Sequence, residues 1–136
     1  MEVETIQLTT HNGVGWLKLN RPEKLNALNE TLLREMKTAI DTFEQDDAVR
    51  VIVLVGEGRA FSSGQDLTIE SDADYGEYLE DVYHPLVRAL FSSRKPLIAG
   101  IHGVVAGAGL SLALAADVRI VAKSTKFSSA FIKIGL

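Results

Sequence analysis

Residues 95–110 read KPLIAGIHGVVAGAGL, and the hydrophobic pattern changes twice along them. Residues 97–101 form a short apolar run after a proline, which favours a buried strand. Residues 103–109 are rich in glycine and alanine, as is typical of a tight turn, and residues 110–116 suit a helix built from small side chains. This part of the chain therefore predicts a strand, a glycine turn and a helix, in that order.

A similar order occurs earlier in the chain. Residues 51–55 read VIVLV, a β-branched run without a polar member, which predicts a strand covered on both faces. A polar loop that contains glycines, GEGRAFSSGQDL, follows at residues 56–67. Strands that alternate with helical spacing indicate an α/β fold with right-handed crossovers. Because ligands gather where α/β chains leave their strands, both turns are candidate ligand sites.

The remaining elements are predicted by turn dipeptides, caps and helical spacing. They are a β-hairpin at Asn12-Gly13, a helix capped by Asn29 with apolar residues through 43, a helical stretch over residues 78–91 with a kink or start at Pro85, and a strand at residues 119–122. The acidic residues between 72 and 81 most simply form a solvated lid, although Glu80 or Asp81 could approach a substrate.

The composition narrows the class of protein. A chain of 136 residues with 46% hydrophobic content can bury the core of one globular domain. Its net charge of -4 lacks the basic surplus that nucleic acids attract, so no nucleic-acid partner is expected. The absence of cysteine removes disulfides and thiolate chemistry, and His11 and His84 lack a second ligand at metal spacing. No metal site is therefore expected.

A membrane span is the alternative interpretation of residues 97–116, which carry no formal charge and are long enough to cross a bilayer. Four glycines, the polar His102 and the change of period favour a buried strand, turn and helix instead. The first ten residues show no signal or transit pattern. We therefore expect a cytoplasmic protein with no membrane partner.

The two glycine turns could act together. Gly64 lets the chain turn sharply and brings the Gln65 N–H close to a ligand, and residues 103–109 open a helix whose first amides lack intrahelical partners. Two such donors aimed at one carbonyl oxygen form an oxyanion hole. Taken singly, each turn is more often plain packing. The spacing fits neither a Rossmann nor a phosphate loop, and Ser62 and Ser63 lack the setting of an acyl-forming serine.

Four stretches, in order along the chain, resemble the crotonase superfamily. They are LNRPEKLNAL at residues 19–28, GRAFSSGQDL at 58–67, KPLIAGIHGVVAGAGL at 95–110 and AADVRI at 115–120. This resemblance implies an α/β fold with a β-β-α spiral core, acyl-CoA substrates, and homotrimers that often pair into hexamers. It implies that residues 1–136 are the N-terminal spiral core, and that the C-terminal helices that close the pocket and build the trimer lie beyond Leu136.

The resemblance also implies roles for individual residues. Gln65 and Ala108 would supply the two oxyanion-hole amides, with Gly64, Gly107 and Gly109 shaping the backbone around them.

A second set of residues would hold the substrate and its coenzyme A moiety. It comprises Lys24, Leu25, Ala27, Ser63, Asp66, Leu67 and Thr68. Lys24 could meet a phosphate as a point charge or be a solvated loop lysine, and Asp66 could instead cap a short helix. Coenzyme A would enter as part of the substrate, and no covalently bound cofactor is expected.

Departures from the hydratase pattern bear on the reaction. Hydratases of this family activate water between two glutamates, but the matching positions here are Ser111 and Phe131, and neither side chain is a general base at neutral pH. The Ser111 hydroxyl could hold a water, although a bond to its own helix backbone is expected. His102 is expected to make a structural hydrogen bond.

Details of the chain are most similar to the phenylacetate-pathway isomerase branch. They are SGQDL at residues 63–67, VYHPLVR at 82–88, AGAGLSLAL at 106–114 and FIKIGL at 131–136. The implied function is double-bond isomerisation of a phenylacetate-derived enoyl-CoA through a thioester enolate, with an acid/base aspartate after Leu136. The 136 residues alone are then expected to be inactive. A noncatalytic acyl-CoA-binding homologue and hydration by a non-standard base remain alternatives.

Overall fold

A computed structural model describes residues 2–68 and 74–130 of the chain. The elements, in chain order, are β1 (Ile6–His11), β2 (Val14–Leu19), a 3-10 helix (Pro22–Lys24), α1 (Glu30–Gln45), β3 (Val51–Gly56), β4 (Ala60–Ser62), α2 (Tyr75–Tyr78), a π-helical segment (Leu79–Tyr83), α3 (His84–Ser92), β5 (Leu97–Ile101), β6 (Val104–Ala106), α4 (Ala108–Leu114), β7 (Val118–Val121) and β8 (Lys126–Ser128).

The strands form two sheets that alternate along the chain. The larger sheet has the order β1-β2-β3-β5-β7, and the smaller has the order β4-β6-β8. Apart from the antiparallel pair β1 and β2, all neighbouring strands are parallel. Since β3, β5 and β7 are each followed by a strand of the smaller sheet, the chain winds as a repeated β-β unit. The predicted α/β architecture is confirmed.

The predicted hairpin and first helix are both present. Asn12 and Gly13 have φ values of 50° and 78°, the left-handed conformation that a tight hairpin turn requires, and His11 pairs with Val14. At the start of α1, the Asn29 side chain accepts a hydrogen bond from the Leu32 N–H at 2.9 Å. The buried face of α1 packs into the core with residues Leu32, Leu33, Met36, Ala39, Ile40 and Phe43.

The prediction that β3 is covered on both faces is wrong for the described residues. Ile52 and Leu54 are buried, whereas Val51, Val53 and Val55 on the opposite face are only half-buried. The covered face packs into the core. The other face borders open clefts of the sheet, which include Val55 in their walls.

Three short strands were not predicted, and several boundaries differ by one or two residues. The segments predicted as loops around the two glycine turns contain β4 and β6, and β8 follows β7. Helix α4 begins two residues before the predicted start, at Ala108, and β7 begins one residue early, at Val118. The apolar stretch 97–116 contains the predicted strand, as β5, and the predicted helix, as α4, but β6 lies between them in the segment predicted as a turn. Among the described residues, no helix combines the length and apolar character needed to cross a membrane.

Candidate functional site

The first glycine turn follows β4 and is fixed by a buried serine. Gly64 has φ +100°, a conformation that a side chain would strain. The Ser62 hydroxyl donates to the Asn26 carbonyl at 2.8 Å and accepts from the Gly64 N–H at 3.2 Å. Ser62 is completely buried. Its hydroxyl therefore holds the turn in place and is not exposed for attack on a substrate.

The Gln65 amide is turned away from its neighbouring segment. Leu28 donates to the Gly64 carbonyl at 2.7 Å and accepts from the Asp66 N–H at 3.0 Å, which makes Leu28 and Gln65 a parallel bridge pair. In such a pair the N–H and C=O of Gln65 itself face the opposite side. Among the described residues, the Gln65 N–H makes no backbone hydrogen bond.

The second glycine turn joins β6 to α4. Gly107 has φ +52° and precedes the first helical residue, Ala108. The Gly107 carbonyl accepts from the N–H groups of Leu110 and Ser111, so these amides are satisfied. The Ala108 N–H belongs to the first turn of α4, where amides lack intrahelical acceptors, and it donates to no backbone carbonyl within the described part of the chain.

The two turns lie in backbone contact. A methyl group added at Gly64 would lie 2.8 Å from the Ala106 carbonyl oxygen and 3.4 Å from the Ala108 nitrogen. One added at Gly109 would lie 2.5 Å from the Ser62 carbonyl oxygen. Such distances leave no room for a side chain. The structure therefore brings together the segments that carry Gly64 and Ala108, as the two-turn prediction requires.

An apolar cleft of about 390 Å³ opens beside the second turn. Its floor comes from α4, and its roof from α2, the π-helical segment and α3. The lining residues are Ala108, Ser111, Leu112 and Ala115 on the floor, and Tyr75, Leu79, Tyr83, His84, Val87 and Phe91 on the roof. A mostly apolar cleft with a few polar groups is the usual form of a small-molecule site. The cleft reaches the Ala108 amide region and could receive an acyl group there.

Asp66 is occupied by neighbouring groups in the chain. Its carboxylate is 3.0 Å from the Arg21 guanidinium and accepts hydrogen bonds from the N–H and hydroxyl of Thr68. The Thr68 hydroxyl is the main reason that the pKa of Asp66 lies below its usual range. The Thr68 N–H and Arg21 also lower this pKa, whereas burial of the carboxyl raises it. This pairing favours a structural role for Asp66, as in the capping alternative, over a direct contact with substrate.

We expect Asp66→Asn to lower the free energy of unfolding by about 2 kcal/mol at pH 7. A carboxyl with a depressed folded pKa adds stability above its unfolded pKa, and this contribution disappears as the pH falls through the folded pKa. The deficit of Asp66→Asn should therefore shrink below about pH 4. Urea titrations from pH 2 to pH 7 measure it. Asp41→Asn, in the exposed pair with Lys37, is the control and should change stability by less than about 0.5 kcal/mol.

The other predicted substrate contacts differ in exposure. Lys24 is exposed at the end of the 3-10 helix, whereas Ala27 is buried. Leu25 has φ +52° in the same loop, and its carbonyl accepts from the half-buried Ser63 N–H at 2.9 Å. This bond connects the loop to the first turn. Leu67 and Thr68 are exposed beyond Asp66, and the described residues place neither of them in the wall of the apolar cleft.

Two further predictions concern the catalytic positions. Ser111 is exposed and borders the cleft, and its hydroxyl has no hydrogen-bond partner among the described residues. The expected bond to its own helix backbone is absent from the described part of the chain. Phe131 lies outside the described residues. His102 does make the predicted structural bond, from Nε2 to the Gly58 carbonyl at 2.6 Å.

Sequence reasoning missed a buried side chain with three hydrogen bonds near the site, that of Asn26. Asn26 is fully buried at φ +52°. Its side-chain oxygen accepts from the Arg21 N–H, and its amide nitrogen donates to the carbonyls of Glu57 and Ala60. Two of its three partners are more than 30 residues away in sequence, so the only local signal was that asparagine adopts the left-handed conformation more readily than most residues.

Comparisons with known proteins agree with the geometry. The sequence model of the enoyl-CoA hydratase/isomerase family matches residues 9–136. The chain is 41% identical to the 1,2-epoxyphenylacetyl-CoA isomerase of Escherichia coli (strain K12), over 98% of this chain and 53% of that protein. It is 44% identical to a Rhodobacter capsulatus protein named "Probable enoyl-CoA hydratase", over 100% of this chain and 53% of the relative.

A solved structure shows the same fold. The crystal structure of an enoyl-CoA hydratase from Mycobacterium avium subsp. paratuberculosis K-10 matches with a TM-score of 0.90 and 33% identity, over 100% of this chain and 54% of that one. The chain spans about half the length of the curated relatives it matches. The crotonase-type core is thereby confirmed, and this chain corresponds to the N-terminal part of its relatives. The chain belongs to the enoyl-CoA hydratase/isomerase family.

Proposed function

We propose that the whole protein, the natural chain that includes these residues, binds an acyl-CoA thioester. The acyl group occupies the apolar cleft, and the thioester oxygen accepts hydrogen bonds from the Gln65 and Ala108 amides. The observation that carries this proposal is the backbone contact between the two glycine turns. It leaves Gln65 and Ala108 on adjacent segments, each with an N–H that has no backbone acceptor among the described residues.

The chemistry follows from where charge develops. Loss of a proton beside a thioester carbonyl moves negative charge onto the carbonyl oxygen. Preorganised N–H donors stabilise that charge more than they stabilise the uncharged substrate, and such differential stabilisation lowers the barrier. Loss of one donor of this kind typically costs about a hundredfold to a thousandfold in rate.

We favour isomerisation of a double bond as the overall reaction. No aspartate or glutamate is among the described residues that line the cleft, so the pair of carboxylates that would activate water is not present there. The aromatic side chains of Tyr75, Tyr83 and Phe91 in the roof suit a ring-bearing acyl group, such as one derived from phenylacetate. The similarity to a 1,2-epoxyphenylacetyl-CoA isomerase supports this class of substrate.

Exchange of the substrate α-proton in D2O tests the proposal. We expect the whole protein to incorporate deuterium beside the thioester of an unsaturated acyl-CoA and to shift its double bond, because both steps pass through the enolate. NMR or mass spectrometry of the recovered acyl-CoA measures both. Tight binding of the acyl-CoA without deuterium incorporation would contradict the proposal and favour a noncatalytic binding protein.

Hydration by a non-standard base is the second candidate, and one observation favours it. His84 lines the cleft, and its Nδ1 is 3.4 Å from the Glu80 carboxylate one helical turn earlier. A carboxylate beside an imidazole can orient it for proton transfer. The same NMR experiment distinguishes the two candidates, since a hydroxylated acyl-CoA would identify hydration.

Other properties of the whole protein remain proposals of the same kind. We propose assembly into a homotrimer or hexamer, action in the cytoplasm, and no cofactor beyond the coenzyme A of the substrate. Light scattering of the whole protein would test its assembly.

A further inference from the structure

One hydrogen bond connects the roof of the cleft to the first glycine turn. The Tyr83 hydroxyl donates it to the side-chain oxygen of Gln65, which is 18 residues away in sequence. Tyr83 is buried, with 7% of its surface exposed. Burial also raises the pKa of Tyr83, so its hydroxyl stays protonated and remains a donor over the ordinary pH range. The bond ends on the residue whose backbone N–H is one of the two proposed donors to the substrate.

The Tyr83 hydroxyl is positioned by an irregular helix. Leu79–Tyr83 form a π-helical segment, and the His84 N–H donates to the Leu79 carbonyl, five residues back. Such segments are rare and often occur at functional sites. Two consecutive side chains of this segment, Val82 and Tyr83, are buried at 4% and 7% exposure. Val82 joins the hydrophobic core, while the Tyr83 hydroxyl reaches Gln65.

A second tyrosine supports the ring of the first without sharing its bond. The rings of Tyr78 and Tyr83 pack edge to face, with centroids 5.8 Å apart and an interplanar angle of 70°. The Tyr78 hydroxyl is buried and has no hydrogen-bond partner among the described residues. Burial raises the pKa of Tyr78 and the Gln65 side chain lowers it in part, so the Tyr78 hydroxyl also lies near Gln65. Among the described residues, only the Tyr83 hydroxyl meets the geometry of a hydrogen bond to Gln65.

We propose that Tyr83 is a positioning residue that fixes the Gln65 segment against the roof of the cleft, a role that rests on the proposed function. The peptide between Gly64 and Gln65 is held on one side by the Leu28 N–H. The bond from Tyr83 holds the Gln65 side chain. Without it, the side chain can change rotamer and the roof can shift relative to the Gln65 amide. Displacements of about 1 Å at a reacting centre can cost a hundredfold in rate, so a smaller loss is expected when only a hydroxyl that acts through the Gln65 side chain is removed.

Tyr83→Phe in the whole protein is the decisive variant, because it keeps the ring and removes only the hydroxyl. We expect kcat for α-proton exchange to fall about tenfold while KM for the acyl-CoA changes less than about twofold. Gln65→Ala keeps the backbone N–H but removes the acceptor, and it should show the same loss. The double variant should be no slower than either single variant, because both changes remove one interaction.

The matched control is Tyr78→Phe, which removes from the adjacent ring a hydroxyl that lies near Gln65 but has no hydrogen-bond partner among the described residues. It should leave kcat within about twofold of the wild type. Two results would overturn the role of Tyr83 and leave the proposed function standing. One is a double variant whose loss of kcat is the product of the two single losses, and the other is an active wild type with an unchanged kcat in Tyr83→Phe. An inactive wild type would overturn both. If Tyr83→Phe does not fold, Gln65→Ala decides alone, since an unchanged kcat there overturns the proposal.

Discussion

Gly109→Ala is expected to lower kcat of the whole protein at least a hundredfold, because the added methyl group would separate the two turns that carry the proposed donors. The methyl group would lie 2.5 Å from the Ser62 carbonyl oxygen and 2.8 Å from the Ser62 Cβ. Neither atom can move away easily. Ser62 is fully buried, and its hydroxyl is bonded to Asn26 and Gly64. The clash must therefore displace α4, and with it the Ala108 amide.

A change of this kind also affects stability, and the two effects can be separated. Overpacking of a close contact typically costs about 1 to 3 kcal/mol, so Gly109→Ala should unfold at a lower temperature than the wild type. Because the free energy of unfolding of a domain is usually about 5 to 15 kcal/mol, the variant should still be folded at about 15 °C. The activity is therefore measured by α-proton exchange well below the unfolding transition. At that temperature a hundredfold loss reports the geometry of the site and not the fraction of unfolded protein.

Gly76→Ala is the matched control for Gly109→Ala. Gly76 is exposed in the first turn of α2, and among the described residues a methyl group there would meet only the Asp74 side chain, at 3.4 Å. Alanine favours helix over glycine by up to about 1 kcal/mol, so this variant should be as active as the wild type and equally or slightly more stable. Activity of Gly109→Ala within threefold or so of this control would show that the contact between the turns does not position the proposed donors.

The parts of the fold that could be predicted are those with local signals. The hairpin depends on the left-handed preference of Asn12-Gly13, and α1 depends on its cap and its apolar spacing. By contrast, β4, β6 and β8 have only three residues each, too few for an alternating pattern to be read. They exist because they pair with one another across large sequence separations, which is information that no short window contains.

The candidate site divides in the same way. The positions of both glycine turns were predictable, because glycine-rich residues that follow a buried strand indicate a turn. The Ala108 amide was assigned only through the family resemblance. The contacts that hold the site were not predictable. The Ser62 hydroxyl reaches a carbonyl 36 residues away, and the Arg21–Asp66 pair joins residues 45 apart. Polar residues with such partners look like ordinary loop residues in sequence, so the burial that makes them important appears only after folding.

Asn26→Asp should cause the largest loss of stability among these substitutions, about 3 kcal/mol or more at pH 7. The Asn26 amide nitrogen donates to the Glu57 and Ala60 carbonyls, both at 2.9 Å. An aspartate would place a charged oxygen against these two acceptors in a site with no solvent access. Protonation relieves this repulsion, so the folded pKa of the new carboxyl would be raised and the deficit should be smallest below about pH 4 and grow as the pH rises.

Asn12→Asp isolates this effect, because Asn12 has nearly the same backbone conformation, φ 50° against 52°, but is exposed in the hairpin turn. Any cost of placing aspartate in the left-handed region is therefore common to both variants, and the difference between them measures the buried hydrogen bonds. Urea-induced unfolding of the whole protein at pH 4 and pH 7 gives that difference. Because Asn26 anchors the loop before α1 to β4 and, through Ser62, to Gly64, equal stabilities of the two variants would mean that the first glycine turn is held by other contacts.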